Sequence, residues 1–149
     1  MDSCLLIADE GFVDIFNEKS FMEYAHSGIT SDIIAAAFEV HKVLGCGFQE
    51  AIYQRSLEIE FTIRKMNFSR EVEMEVYYKA SQVGLRRVDF LVNNIICVEL
   101  KAVTKLEDVH LAQALNYLEA YNVEVGLLIN FGAKSLDVKR LYNRRFTSD

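Results

Sequence analysis

Arg86-Arg87-Val88-Asp89-Phe90-Leu91-Val92-Asn93-Asn94-Ile95-Ile96-Cys97-Val98-Glu99-Leu100-Lys101-Ala102 holds two apolar runs joined by a pair of asparagines. Such runs read as two strands and a turn. Side chains alternate along a strand, so Glu99 and Lys101 share one face and Leu100 takes the other. A carboxylate and an ammonium in the middle of a core strand are costly unless they have a task. Asp89 interrupts the first run in the same way. Two carboxylates and a lysine on neighbouring strands are what a divalent-metal phosphodiesterase needs. The acids hold the ion, and the lysine stabilises or helps to generate the attacking hydroxide.

The register of the pair follows from its apolar faces. A two-residue Asn93-Asn94 turn would pair Val92 with Ile95 and leave Asp89 on the face away from Glu99. Pairing Val92 with Ile96 matches the apolar faces and brings Asp89 across from Glu99. The expectation is a three-residue connection, or a bulge near Asn93–Ile95; Ile95 is a poor residue for a left-handed loop position, which favours the bulge.

Outward from this pair, Glu71-Val72-Glu73-Met74-Glu75-Val76-Tyr77-Tyr78 alternates as a strand, with Glu71, Glu73 and Glu75 on a solvated face. Upstream, Thr30 or Ser31 can cap a helix with Asp32 in its first turn, and Ile34, Ala37, Phe38, His41 and Leu44 follow helical spacing. Gly45-Cys46-Gly47 breaks it. A second helix, about Phe48 to Lys65, has the core stripe Tyr53, Leu57 and Phe61. Glu50 shares that stripe near the helix start, either as a surface carboxylate favoured by the dipole or as an acid aimed into a site. A short helix is expected near Val13–Tyr24. Downstream, Val109–Tyr121 reads as a helix, with Val109, Ala112, Leu115 and Leu118 on one stripe and Gln113 and Tyr117 on another. Val125–Phe131 is a strand covered on both faces, and a last helix covers roughly Ser135 to Arg145. The order predicts an antiparallel meander, then a helical crossover to a further strand.

The 149 residues make one domain with a proper core. No apolar run approaches the roughly 20 residues of a membrane span. The start has no basic segment followed by an apolar one, so a cytoplasmic location without a membrane partner is expected. Cys4, Cys46 and Cys97 are scattered, which fits reduced thiols. The chain has neither HExxH nor CxxC, which argues against zinc. The net charge of −6 is unevenly spread: Asp2, Asp9, Glu10, Asp14, Glu18 and Glu23 against Lys19 leave −5 in residues 1–26 and −1 in the rest. Residues 134–145 carry +4, as a phosphate-contacting flank or the solvated face of a helix. Arg86 and Arg87 either reach phosphates or balance Asp89. His41 reads as a core histidine and Cys97 as a small core filler. His110 either contacts nucleic acid or bonds locally at a helix start.

Taken together, Gly47-x-x-Glu50, the Asp89 strand, Glu99-x-Lys101 and Gln113-x-x-x-Tyr117 resemble the PD-(D/E)XK nuclease superfamily, its RecB-type branch in particular. Gly47-Phe48-Gln49-Glu50-Ala51-Ile52-Tyr53 is similar to the signature of the small proteins called the GxxExxY family. The resemblance spans about residues 29–145. It implies a restriction-endonuclease-like α/β sandwich on residues 29–149, with residues 1–28 as an N-terminal arm. The implied sheet is central, mixed and four-stranded, flanked by helices in the order α-α-β-β-β-α-β-α. It further implies Mg²⁺ or Mn²⁺ held by Asp89, Glu99 and the Leu100 carbonyl. Glu50 would complete the acidic cluster directly or through a metal-bound water. Lys101 would orient or deprotonate the attacking water, and Gln113 and Tyr117 would position Lys101, the water or a phosphate. Arg86 stands where RecB-type proteins often carry a glycine, and the family's Gly-Pro-Gly-like turn reads Gly45-Cys46-Gly47; neither departure removes a ligand. The four cysteines of iron–sulfur relatives are absent, so no iron–sulfur cluster is expected. The implied activity is metal-dependent hydrolysis of phosphodiester bonds in nucleic acid, DNA first and RNA second, by a homodimer able to span a duplex. The alternative is a nuclease fold serving as a non-catalytic protein-docking or nucleic-acid-docking module.

Overall fold

The computed structural model describes residues 25–149 and, ahead of them, residues 6–7 and 12–13. In chain order the elements are β1 (Leu6–Ile7), β2 (Phe12–Val13), α1 (Ser27–Leu44), α2 (Glu50–Ile63), β3 (Phe68–Tyr78), β4 (Ser81–Val92), β5 (Ile96–Lys101), α3 (Asp108–Ala120), β6 (Val125–Asn130) and β7 (Asp137–Tyr142). The strands form one mixed sheet in the order β2-β1-β7-β6-β5-β4-β3. β3, β4 and β5 are the expected antiparallel meander, and α3 crosses over to lay β6 parallel to β5. The helix expected near Val13–Tyr24 lies outside the described residues, apart from Val13, which ends β2.

Two apolar layers cover the sheet. On one face α1 and α2 bury Ile33, Ala37, Tyr53, Leu57 and Phe61 against Phe90, Val98, Leu100 and Ile129. On the other, α3 buries Ala114, Tyr117 and Leu118 against Val88, Cys97, Leu128 and Leu141. β6 is buried along its whole length, as a strand sandwiched between helices must be. The α2 stripe falls where its spacing predicts, with Tyr53, Leu57 and Phe61 fully buried. Phe61, Phe68 and Phe90 meet edge-to-face at 5.1–5.8 Å, locking α2 onto the hairpin.

Three expectations are corrected. α1 begins at Ser27, before the Thr30 or Ser31 cap, and buries Ile33, Ala36, Ala37 and Val40 while Phe38 stays 52% exposed. Ile33 to Phe38 is apolar throughout, so periodicity cannot choose a face there. On α3 the inward stripe is Ala114, Tyr117 and Leu118, whereas Val109 is exposed. The last element is a strand and not a helix, so the sheet has five long strands instead of four. Leu136, Val138 and Arg140 alternate inward. Arg140 disguises the pattern because a guanidinium occupies a core position, where it donates to Thr30 Oγ1 at 2.5 Å, the Ala25 carbonyl at 2.7 Å and Tyr142 OH at 2.6 Å. Lys139 pairs with Asp137 and Arg145 with Glu119. Much of the basic C-terminal flank therefore has partners within the protein.

The β4–β5 register is the one that the apolar faces demand: Val92 pairs with Ile96, Leu91 with Cys97 and Phe90 with Val98. The connection is Asn93-Asn94-Ile95, and the asparagines take the left-handed conformations, with φ of 53° and 57°. Ile95 is spared that conformation, so the turn needs no bulge.

Candidate active site

The β3–β4 hairpin twists at one rung, and that rung carries acids. Phe68, Phe90 and Val92 face the α1–α2 layer, whereas Val72, Met74 and Val88 face the α3 layer. Even-numbered residues of both strands thus change sides between Arg70↔Phe90 and Val72↔Val88. Glu71 and Asp89 occupy the rung between, and Glu71 has a left-handed φ of 55°. Strict alternation groups Glu71 with the solvated Glu73 and Glu75, and the twist corrects that grouping. Glu71 lines an open pocket of about 340 Å³ together with Glu50, Gln54 and Asp89.

At this changeover Asp89 can reach between the layers. The β4–β5 ladder stops at Phe90↔Val98, and Asp89 Oδ2 accepts the Leu100 N–H at 2.8 Å. A carboxylate thus takes the role of a strand carbonyl. Its Oδ1 accepts a hydrogen bond from Gln54 Nε2 on α2 at 2.7 Å. Each oxygen keeps a free lone pair. Burial pushes the Asp89 carboxyl up, while the two hydrogen bonds and Lys101 pull it back.

Glu99 lies on the α3 side of β5, two residues from Cys97. Burial, reinforced by Asp89, pushes its carboxyl up to about 8; Arg86 and Lys101 oppose the shift. Its Oε2 is buried with no hydrogen-bond partner among the described residues, as is the Tyr117 hydroxyl. Tyr117 is raised by burial and then by Glu99. Lys101 ends β5 beside Asn130, and its charge acts on Glu50, Asp89 and Glu99 alike. Lys101 forms no close ion pair among the described residues. The strand end that carries it is clamped: its carbonyl accepts the Phe131 N–H, and fully buried Asn130 bonds both the N–H and the carbonyl of Val103.

The glycine-rich turn places Glu50. Gly47 has a φ of 113°, open to glycine alone at little cost. Tyr53 OH donates to the Gly45 carbonyl at 2.5 Å and accepts the Phe48 N–H at 3.2 Å, tying the turn to α2. Glu50, the first residue of α2, is thereby held at the pocket. Partial burial and Asp89 push its carboxyl up, and Lys101 pulls it down.

Asp89, Glu99, Lys101 and Glu50 therefore share one electrostatic neighbourhood, with Tyr117 against Glu99 and the Leu100 N–H engaged by Asp89. Gln113 is exposed on α3. His110 bonds locally, its Nδ1 accepting the Glu107 N–H at 2.9 Å. His41 is half-buried and bonds the Ala133 carbonyl, and Cys97 is a buried filler whose thiol burial pushes up to about 12. Gln54 and Glu71 are the residues that motif spacing missed: one acts through α2 packing, the other through the twist.

The neighbourhood fits a hard cation. It offers oxygen donors only, and Glu99 holds a buried oxygen that nothing among the described residues satisfies. Among the described residues, no three acidic, imidazole or thiol side chains are grouped closely enough to hold a metal ion as they stand, so the fit lies in the donor chemistry.

The family model of the PD-(D/E)XK nuclease superfamily matches residues 27–141. The chain belongs to the PD-(D/E)XK nuclease superfamily. The solved crystal structure of SSO0001 superposes with a TM-score of 0.51 and 21% identity, over 62% of this chain and 50% of that one. The chain spans about half the length of that protein, and the likeness is one of fold. No functionally curated protein matches the chain significantly. No helix among the described residues is long and apolar enough to cross a membrane.

Proposed function

We propose that this superfamily member is a divalent-metal-dependent nuclease acting on DNA, closest in kind to the RecB-type branch and the GxxExxY group. The observation that carries the reading is Glu99: a buried carboxyl with an unsatisfied oxygen, in the combined field of Asp89, Lys101 and Glu50. Asp89, Glu99 and the Leu100 carbonyl would hold Mg²⁺ or Mn²⁺, with Glu50 completing the acidic set. When bound, the ion supplies a Lewis acid and a water of lowered pKa. Gln54 fixes the Asp89 carboxylate, leaving its remaining lone pairs for a ligand. Lys101, anchored by the Asn130 clamp, orients or deprotonates the attacking water and offsets charge on the scissile phosphate. Tyr117 and Gln113 position the lysine, the water or the phosphate. Residues 29–149 form the catalytic unit, and residues 1–28 an arm.

The test is cleavage of supercoiled plasmid and single-stranded DNA with Mn²⁺. Asp89→Asn and Lys101→Met are each expected to lose at least about 100-fold in rate. Cutting at the wild-type rate by both variants would mark a contaminant and return the chain to the docking-module reading.

A further inference from the structure

Two neighbouring guanidiniums stand by the site, and the fold uses them differently. Arg87 is held by acids, at 2.9 Å from Glu73 and 3.6 Å from Glu71. Arg86 is in no ion pair among the described residues; its guanidinium lies over the Tyr117 ring at 4.9 Å. A guanidinium stacked on a ring is fixed in plane yet keeps its edge N–H donors free for a tetrahedral anion. Arg86 also lines a surface depression of about 280 Å³ with Val76, Asn116, Tyr117 and Tyr121, so there is room beside it. Its charge reaches Glu99 from the α3 side, while Lys101 acts from the end of the same strand as Glu99.

The geometry points to Arg86 as the contact for a backbone phosphate of the nucleic acid, one that lies beside the scissile bond on the α3 side of Glu99. This rests on the nucleic-acid reading above. The Tyr117 ring holds the guanidinium in place, and the fork of N–H donors takes two phosphate oxygens. In a chain of net charge −6, such a placed cation steers a polyanion to an otherwise acidic site.

The experiment is fluorescence anisotropy of a labelled single-stranded DNA 20-mer with the full chain in EDTA, across a salt series. Arg86→Gln is expected to weaken binding about 5- to 20-fold and to reduce the salt slope by roughly 0.7, the value for one phosphate contact on a single strand. Arg86→Lys recovers the slope and part of the affinity. Arg64→Gln, which removes an equal charge paired with Glu60 on α2, binds as wild type. Wild-type affinity and slope in Arg86→Gln, or an equal loss in Arg64→Gln, overturns the assignment. A wild-type chain that binds no DNA overturns it together with the nucleic-acid reading. Arg86-dependent binding without Mn²⁺-dependent cleavage upholds the assignment and overturns catalysis alone.

Discussion

At Glu99, burial and the Asp89 carboxylate act in one direction and lift the carboxyl from an ordinary 4.5 to about 8. Between those values the folded chain keeps a proton that the unfolded chain releases. The native state therefore binds more protons, and stability falls as pH rises through that window. Thermal melts of the metal-free protein are expected to drop in midpoint from pH 5 to pH 8. Glu99→Gln should flatten that dependence and melt higher than wild type at pH 8. A midpoint that climbs over the range, or an equal slope in the variant, would contradict this assignment. A cation that displaces the proton would stabilise increasingly as pH rises. The acids that interrupt apolar runs, Asp89 and Glu99, are legible in the sequence because a charge in a core strand demands a reason. Glu71 and Gln54 are not, since their place depends on the twist and on how α2 packs.

The elements divide in the same way. The β4–β5 register follows from pairing apolar faces, and α2 from an uninterrupted stripe. β7 escapes because Arg140 sits where an apolar residue would announce a strand. The hairpin twist escapes because period-two reading assumes a constant face. Just past β6 lies a constraint on the segment that follows Lys101. A Cβ on Gly132 would lie 2.4 Å from the Val103 N and O and 2.6 Å from the Ala102 carbonyl carbon, all backbone atoms. Gly132→Ala is therefore expected to destabilise by about 2–4 kcal/mol, by displacing the segment after Lys101. Urea unfolding would check it; a loss below about 0.5 kcal/mol would show that the strand end yields freely.

Across the whole molecule, helices on both faces leave the sheet interior dry, so a polar group there must be satisfied by the chain or by something it binds. Arg140 illustrates the first outcome, buried and bonded to Thr30, Ala25 and Tyr142. Glu99, with one oxygen left over among the described residues beside a second acid and a lysine, is the group that the proposed cation would satisfy. The layered architecture and the crossover were readable from the order of the runs; the five-stranded sheet was not, because its fifth long strand was disguised. The superfamily membership matches that architecture, and the account of the site turns on a single cation shared by residues far apart in the chain. Isothermal titration of Mn²⁺ into the 149-residue chain at pH 8 is the sharpest test. A saturable binding event is expected, weakened at least about tenfold in both Asp89→Asn and Glu99→Gln. Unchanged Mn²⁺ affinity in either variant would contradict it.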